Sequence, residues 1–256
     1  MRRKMIFSYW SEDDTSAVAP TIRAWSKHFP DYRMIGNDDI RPLLKRIKPG
    51  SVDLYDRIAI PACRSDVARL AYLYAHGGLY VDCHCHPADP EMIRRLLNGL
   101  DVHEMILLHK NRSNRDRPGM FRPRNGVIFA RKSSSIISRL LDAAIDNLQR
   151  AATGQPLNIP GQYRNRWPLG DQNIWLLTGP GLYISMIADD PNLPNEIHPA
   201  YQHRIKMIEE ADGPVRLYAY KGYRKLAPHW SVRQKSEPLF APASCGPLAV
   251  LRSDRP

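Results

Sequence analysis

The chain has 256 residues, 43% of them hydrophobic, enough for one α/β domain with a sizeable core, and no apolar run reaches the length of a transmembrane helix. Thirty-seven Lys+Arg against 26 Asp+Glu give a net charge of +11, which favours anionic partners: nucleotide phosphates, or acidic glycan and lipid surfaces. The basic residues are dispersed, apart from Arg112 to Arg117 and Arg164 to Arg166, and no nucleic-acid module accompanies them, so nucleic acid is not an expected partner.

The opening MRRKMIFSYW is basic and then apolar, but the apolar part is too short for a signal peptide and SEDD follows at once. Together with four cysteines (Cys63, Cys83, Cys85 and Cys245), too few for a disulfide framework, this reads as a cytoplasmic protein with peripheral contact to an anionic inner membrane face. Lys4 to Tyr9 is the first expected strand, ending at Trp10 and an acidic turn. Val18, Ile22 and Trp25 mark an amphipathic helix with Pro20 in its first turn, and Pro30 stops it before a short strand, Tyr32 to Gly36. Ile40, Leu43, Leu44 and Ile47 give a second helical stripe at i, i+3, i+4 and i+7.

The stretch from Cys63 to Pro90 organises the chain. Val67, Leu70, Ala71 and Tyr74 repeat the helical spacing, Gly77-Gly78 supplies a helix stop, and Leu79 to Val81 make a buried strand. Asp82, Cys83, His84, Cys85 and His86 follow. Were the chain still extended there, Asp82, His84 and His86 would share one face and the two cysteines the other. A carboxylate and an imidazole so placed can hold one divalent cation and leave its other positions open. The C-x-C spacing is too tight for a zinc knuckle, so both cysteines read as small core residues.

Further on, Glu104 to His109 is an expected strand, Asn111 to Arg124 a basic loop, and Val127 to Ala130 another strand after Asn125-Gly126. Ile137, Leu140, Leu141, Ala144, Ile145 and Leu148 mark the longest helix. Thr153 to Gly170 is Pro/Gly-rich and aperiodic, a lid or acceptor loop that Gly170-Asp171-Gln172 ends. After Thr178-Gly179-Pro180, short strands and loops are expected to about Pro228, including Val215 to Tyr220. Four prolines after Glu237 mark a poorly ordered tail, so one domain is expected over 1–236 with a Pro-rich tail over 237–256. The strand–helix alternation argues for a Rossmann-like, mostly parallel sheet flanked by helices, in which ligands bind at the carboxyl ends of strands, where Trp10 and Asp82 both fall.

Ser65, Asp66, Arg69, Gly77, Gly78, Tyr80 and Asp82, in this order and spacing, resemble the DXD region of glycosyltransferase family 32. Trp10, Pro30-Asp31-Tyr32, Asn125-Gly126, Thr178-Gly179-Pro180 and Ala227-Pro228-His229-Trp230 resemble further landmarks of that family, so the likeness spans roughly residues 4 to 230. The family's second aspartate is His84 here; a D-x-H variant serves the glycosyltransferases that start mucin-type O-glycans.

The resemblance implies an A-type glycosyltransferase fold and transfer of a hexose from a nucleotide-sugar donor (a UDP- or GDP-hexose) to a glycan, glycolipid or other acceptor, with retention of configuration. It implies that Trp10 stacks on the base, that Arg69 meets the phosphates or sugar, and that Asp66 accepts sugar hydroxyls. Ser65, Tyr80, Asn125 and Trp230 are further donor-site candidates. Asp82, His84 and His229 are the expected metal ligands, with Mn²⁺ favoured over Co²⁺ or Mg²⁺ because an imidazole replaces a carboxylate. Asp82, Arg69, Asp171 and Gln172 are the candidate catalytic residues, the last two by likeness to a D-Q pair in a neighbouring retaining family. Two rival readings are a metal-dependent hydrolase using His84 and His86, against which the chain is too short after His84 to complete a barrel, and a non-catalytic binding protein.

Overall fold

The computed structural model describes residues 4–114, 117–157, 173–188, 197–220, 222 and 228–242. Its first half alternates β1 (Ile6–Tyr9), α1 (Ala19–His28), β2 (Arg33–Ile35), α2 (Asn37–Ile47), α3 (Val52–Arg57), α4 (Pro61–His76), β3 (Gly78–Val81), the two-residue β4 (His86–Pro87) and α5 (Pro90–Gly99). There follow β5 (Met105–Asn114), β6 (Arg117–Ala130), α6 (Ser135–Thr153), short helices at Ile174–Leu177 and Pro180–Ile187, β7 (Ile205–Glu209), β8 (Val215–Arg216) and a last helix at Trp230–Ser236.

The main sheet has the order β2-β1-β3-β6-β5-β7. Neighbours are parallel except at β6, which is antiparallel to both β3 and β5, so β6 alone runs against the other five. This is the mixed, mostly parallel α/β sheet expected from the sequence. Both faces are covered, and the strands alternate between two cores. Phe7, Tyr9 and Tyr80 face α2, α4 and α6, while Ile6, Leu79 and Val81 face α1 and α5. Sandwiched between the sheet and its helical neighbours, α4 is buried nearly all round, Asp66 and Arg69 included, which a single apolar stripe did not foretell.

The glycine stop is required by both backbone and space. Gly77 has φ +69° and Gly78 φ +105°, and a Cβ on Gly78 would lie 2.0 Å from the Met5 carbonyl oxygen. That close approach lets β3 begin against β1 immediately after the helix.

Three expectations are corrected. The basic stretch Asn111 to Arg124 is no loop: β5 and β6 run through it as a long antiparallel ribbon, with Lys110 opposite Arg122. The region after Thr178-Gly179-Pro180 contains a helix, Pro180–Ile187, where Gly179 and Pro180 serve as N-cap and first residue, and a further parallel strand, β7. The period-two face of Asp82, His84 and His86 does not exist, because β3 ends at Val81 and residues 82–85 form a turn closed by the Cys85 amide on the Asp82 carbonyl (3.0 Å).

Residues 158–172, which hold most of the expected lid together with Asp171 and Gln172, lie outside the described residues. Within the expected tail, Leu239 is buried and Phe240 bridges Ile58, while 243–256 lie outside the described residues. Among the described residues no helix is long and apolar enough to cross a membrane.

Candidate active site

A cleft of about 610 Å³ opens where β1 and β3 end. This is the carboxyl edge of the parallel strands, where chain ends and helix starts leave room for a ligand. Its floor is a charged array built from α4, β3 and β6. Arg69 Nη2 lies 3.0 Å from Asp66 Oδ1 and 3.4 Å from Asp82 Oδ1. The same nitrogen donates to Ser65 Oγ (3.0 Å), Nη1 donates to the Asn125 carbonyl, and the guanidinium lies 4.5 Å over the Tyr80 ring. The Tyr80 hydroxyl donates to Asp82 Oδ1 at 2.6 Å.

Asp66 sits deepest. Thr178 Oγ1 donates to its Oδ2 (2.8 Å) and Asn125 Nδ2 to its Oδ1 (2.9 Å). Burial pushes its carboxyl up to about 6, against the lowering pull of Arg69, Thr178 and Asn125. Burial alone would discharge Arg69, but Tyr80, Asp82 and Asp66 outweigh it and hold its pKa above the ordinary arginine value. The array therefore keeps one fixed cation between two carboxylates. Only Asp82 turns substantially toward the cleft, its side chain being 24% exposed.

The Asp82–Cys85 turn is fixed from behind. Trp25 Nε1 donates to the Cys85 carbonyl (2.9 Å) and Thr21 Oγ1 to that of Cys83, both from α1, while the Asp82 amide donates to Gly126 (2.8 Å). Cys83 and Cys85 are buried, and burial raises both thiols well above their ordinary value, so neither is poised as a thiolate ligand. The turn brings His84 Nε2 to 3.9 Å from Asp82 Oδ2. Two ligands each about 2.0–2.2 Å from one ion can stand that far apart, so the pair fits a shared divalent cation. Among the described residues no three His, Cys, Asp or Glu side chains are grouped so that they could hold a metal ion, so, although all three line the cleft, His229 is not clustered with Asp82 and His84. Its Nδ1 instead accepts from the Ser231 amide (3.3 Å), capping the last helix.

Residues 15–98 match the family described as a glycosyltransferase sugar-binding region containing a DXD motif. This part of the chain is therefore similar to a DXD-containing sugar-binding region of glycosyltransferases. A solved structure titled PaToxG Glycosyltransferase is similar at a TM-score of 0.44 and 18% identity, over 70% of this chain and 66% of that one, just under two thirds of its length. No curated protein matches the chain.

The donor-site candidates Trp10, Ser65, Asp66, Arg69, Tyr80, Asn125 and Trp230 all line this cleft. Trp10 sits just past β1, its indole Nε1–H donating to the Asp14 carbonyl (3.0 Å). Asp66 is only 5% exposed and accepts from three protein donors, so it acts on the cleft by holding Arg69, Asn125 and Thr178. His86 is not in the cleft lining; its Nδ1 lies 2.7 Å from the Tyr220 hydroxyl. The paired-histidine hydrolase reading loses its geometry by that separation, and its barrel is replaced by an open sheet.

Trp175 and Tyr218 line the cleft without having been singled out in the sequence, and Thr178, behind the lining, was not recognised as the partner of Asp66. Thr178 lies in the T-G-P landmark and Trp175 just before it, so a signal was present. Tyr218 carried none.

Proposed function

We propose that the cleft transfers a hexose from a UDP- or GDP-hexose to a glycan, glycolipid or other acceptor, with retention and with the help of a divalent cation, Mn²⁺ favoured over Co²⁺ or Mg²⁺. The observation that carries this reading is the Asp66–Arg69–Asp82 array, braced by Tyr80 and Asn125, on the floor of a cleft that Trp10 and Trp230 also line. The family match supports sugar transfer as the reaction class.

Asp82 and His84 are the residues that would hold the cation, and when bound there it supplies Lewis-acid neutralisation of charge on the leaving diphosphate. Arg69, kept charged and immobile by its partners, presents fixed positive charge to the donor without reorganising during reaction. Tyr80, neutral because burial raises its pKa, orients the Asp82 carboxylate through its hydroxyl. Trp10 offers an aromatic surface for the base, and Asn125 is spent on Asp66 and Arg69, so it shapes the donor side of the cleft as a brace. Asp171 and Gln172 are kept as candidates for the sugar-facing side. Cytoplasmic placement at an anionic membrane face, in keeping with the net charge of +11, belongs to the same proposal.

The test is nucleotide release from a panel of UDP- and GDP-hexoses with chelator, Mn²⁺, Co²⁺ or Mg²⁺. Chelator-sensitive release from one donor supports the reading. Binding of a donor with no release under any metal would instead assign a non-catalytic sugar-nucleotide-binding protein.

A further inference from the structure

The Asp82–Cys85 turn is held from in front as well as from behind. β4, which follows the turn, pairs antiparallel with β8, placing His86 opposite Arg216 and Pro87 opposite Val215. Continuing that register by two residues sets His84 opposite Tyr218, just past β8. There the two rings stack with centroids 4.7 Å apart and planes within 2°. The Tyr220 amide donates to the His84 carbonyl (3.2 Å), and the Tyr220 hydroxyl meets His86 Nδ1 (2.7 Å). The 218–220 segment therefore grips the histidine turn at three points.

Tyr218 stands out in two further ways. It has φ +59°, a left-handed backbone that large L-residues disfavour. It also leaves 38% of its surface exposed while lining the cleft. A strained, exposed aromatic residue at the mouth of a site points to a role for its ring there. The Tyr218 ring stacks on His84, whose Nε2 faces Asp82 Oδ2 at 3.9 Å. An imidazole turns about two side-chain torsions, and a flat partner against one face restricts that rotation.

We propose that Tyr218 is a positioning residue for His84: its ring holds the imidazole flat so that Nε2 stays aimed at Asp82, and it thereby sets the affinity of the cation pair. The inference rests on the reading of Asp82 and His84 as cation ligands. Residues that orient a metal ligand typically change metal affinity by about 10–100-fold when removed, and that is the size of effect expected.

The experiment is a titration of the full chain with Mn²⁺ alone, following loss of the free-ion electron paramagnetic resonance signal, for wild type, Tyr218→Asn, Tyr218→Phe, His84→Ala and His84→Ala/Tyr218→Asn. Asparagine tolerates the left-handed backbone, so Tyr218→Asn removes the ring without adding strain. Thermal melting verifies that each variant folds. Tyr218→Asn should weaken Mn²⁺ binding about tenfold or more, Tyr218→Phe should bind as wild type, and Tyr218→Asn should add nothing once His84 is alanine. Wild-type affinity in Tyr218→Asn, or an equal loss with and without His84, overturns the positioning role while leaving the cation reading standing. Unchanged affinity in His84→Ala overturns the cation reading itself, and Tyr218's role with it.

Discussion

Thr178→Val isolates the hydrogen bond that keeps a buried carboxylate charged. Thr178 is fully buried, and its hydroxyl donates to Asp66 Oδ2 at 2.8 Å with the Cys63 sulfur 3.6 Å away. Valine keeps the shape and removes only the donor, so the loss is that of one hydrogen bond to a charged group, about 1.5–3 kcal/mol. In a domain of this size that is a fall of roughly 3–12 °C in melting temperature. The loss should depend on pH. Burial raises the Asp66 carboxyl from 3.8 to about 6 in the folded chain. Between those values the folded state binds more protons than the unfolded one, so Asp66 contributes stability as pH falls through about 6 and withdraws it as pH rises. Removing Thr178's donor disfavours the charged form further, so the variant's deficit is largest above pH 7. Near pH 5, where Asp66 is mostly protonated and the bond lost is an ordinary neutral one, the deficit shrinks by about 1 kcal/mol. Urea denaturation of wild type, Thr178→Val and Thr178→Ser at pH 5 and pH 8 measures this as a difference of differences, in which other carboxylates cancel. A deficit equal at both pH values, or below about 0.5 kcal/mol at pH 8, would refute the view that Thr178 stabilises an ionised Asp66.

Other consequences are more local. Trp10→Ala should weaken nucleotide binding by about 1–3 kcal/mol, the range for base–aromatic stacking; unchanged affinity by calorimetry removes Trp10 from the donor site. His84→Asp should retain donor cleavage and shift the metal preference from Mn²⁺ toward Mg²⁺, because a harder oxygen ligand replaces nitrogen, and an unaltered preference ratio would argue that residue 84 does not ligate. Gly126→Ala places a Cβ 2.5 Å from Asp82 Oδ2, so the carboxylate must move. Nucleotide release should fall at least about tenfold in a variant that still melts cooperatively, and wild-type turnover would mean that this Asp82 conformer is not the working one.

Much of the site was legible because its chemistry lies on elements with strong local signatures. Asp66 and Arg69 sit three apart on a helix that the 3.6 period and the Gly77-Gly78 stop both announce, Tyr80 follows on the strand and Asp82 just past its end. Trp10 could be placed beside Asp82 because open α/β sheets gather their ligand residues at the strand ends. The ribbon of β5 and β6 was hidden for an equally physical reason. From Lys110 to Arg124 the side chains are mostly polar or basic, with Pro118, Gly119 and Pro123 among them, so neither alternation nor an apolar run marks a strand. What makes it a strand pair is continuation of the buried β5–β6 ladder, a tertiary cause that no local window contains.

Asp82 and His84 do face each other across 3.9 Å, but not through an extended strand. Period-two alternation would have put His86 beside Asp82 and His84, and it failed because the strand stops at Val81. The turn that replaces it is set by partners far away in sequence: Thr21 and Trp25 on the carbonyls of Cys83 and Cys85, Gly126 on the Asp82 amide, and Tyr220 on the His84 carbonyl. A tight turn brings positions i and i+2 together but sends i+4 onward, here into β4 and against Tyr220. A histidine at position 84 is thus accommodated by geometry that the backbone already imposes, with Tyr218 stacked on its ring. By this reasoning an aspartate restored at position 84 would not need Tyr218. Tyr218→Asn should therefore be costly to Mn²⁺ affinity beside His84 and nearly silent beside an aspartate in the His84→Asp background, a contrast that the same titration can measure.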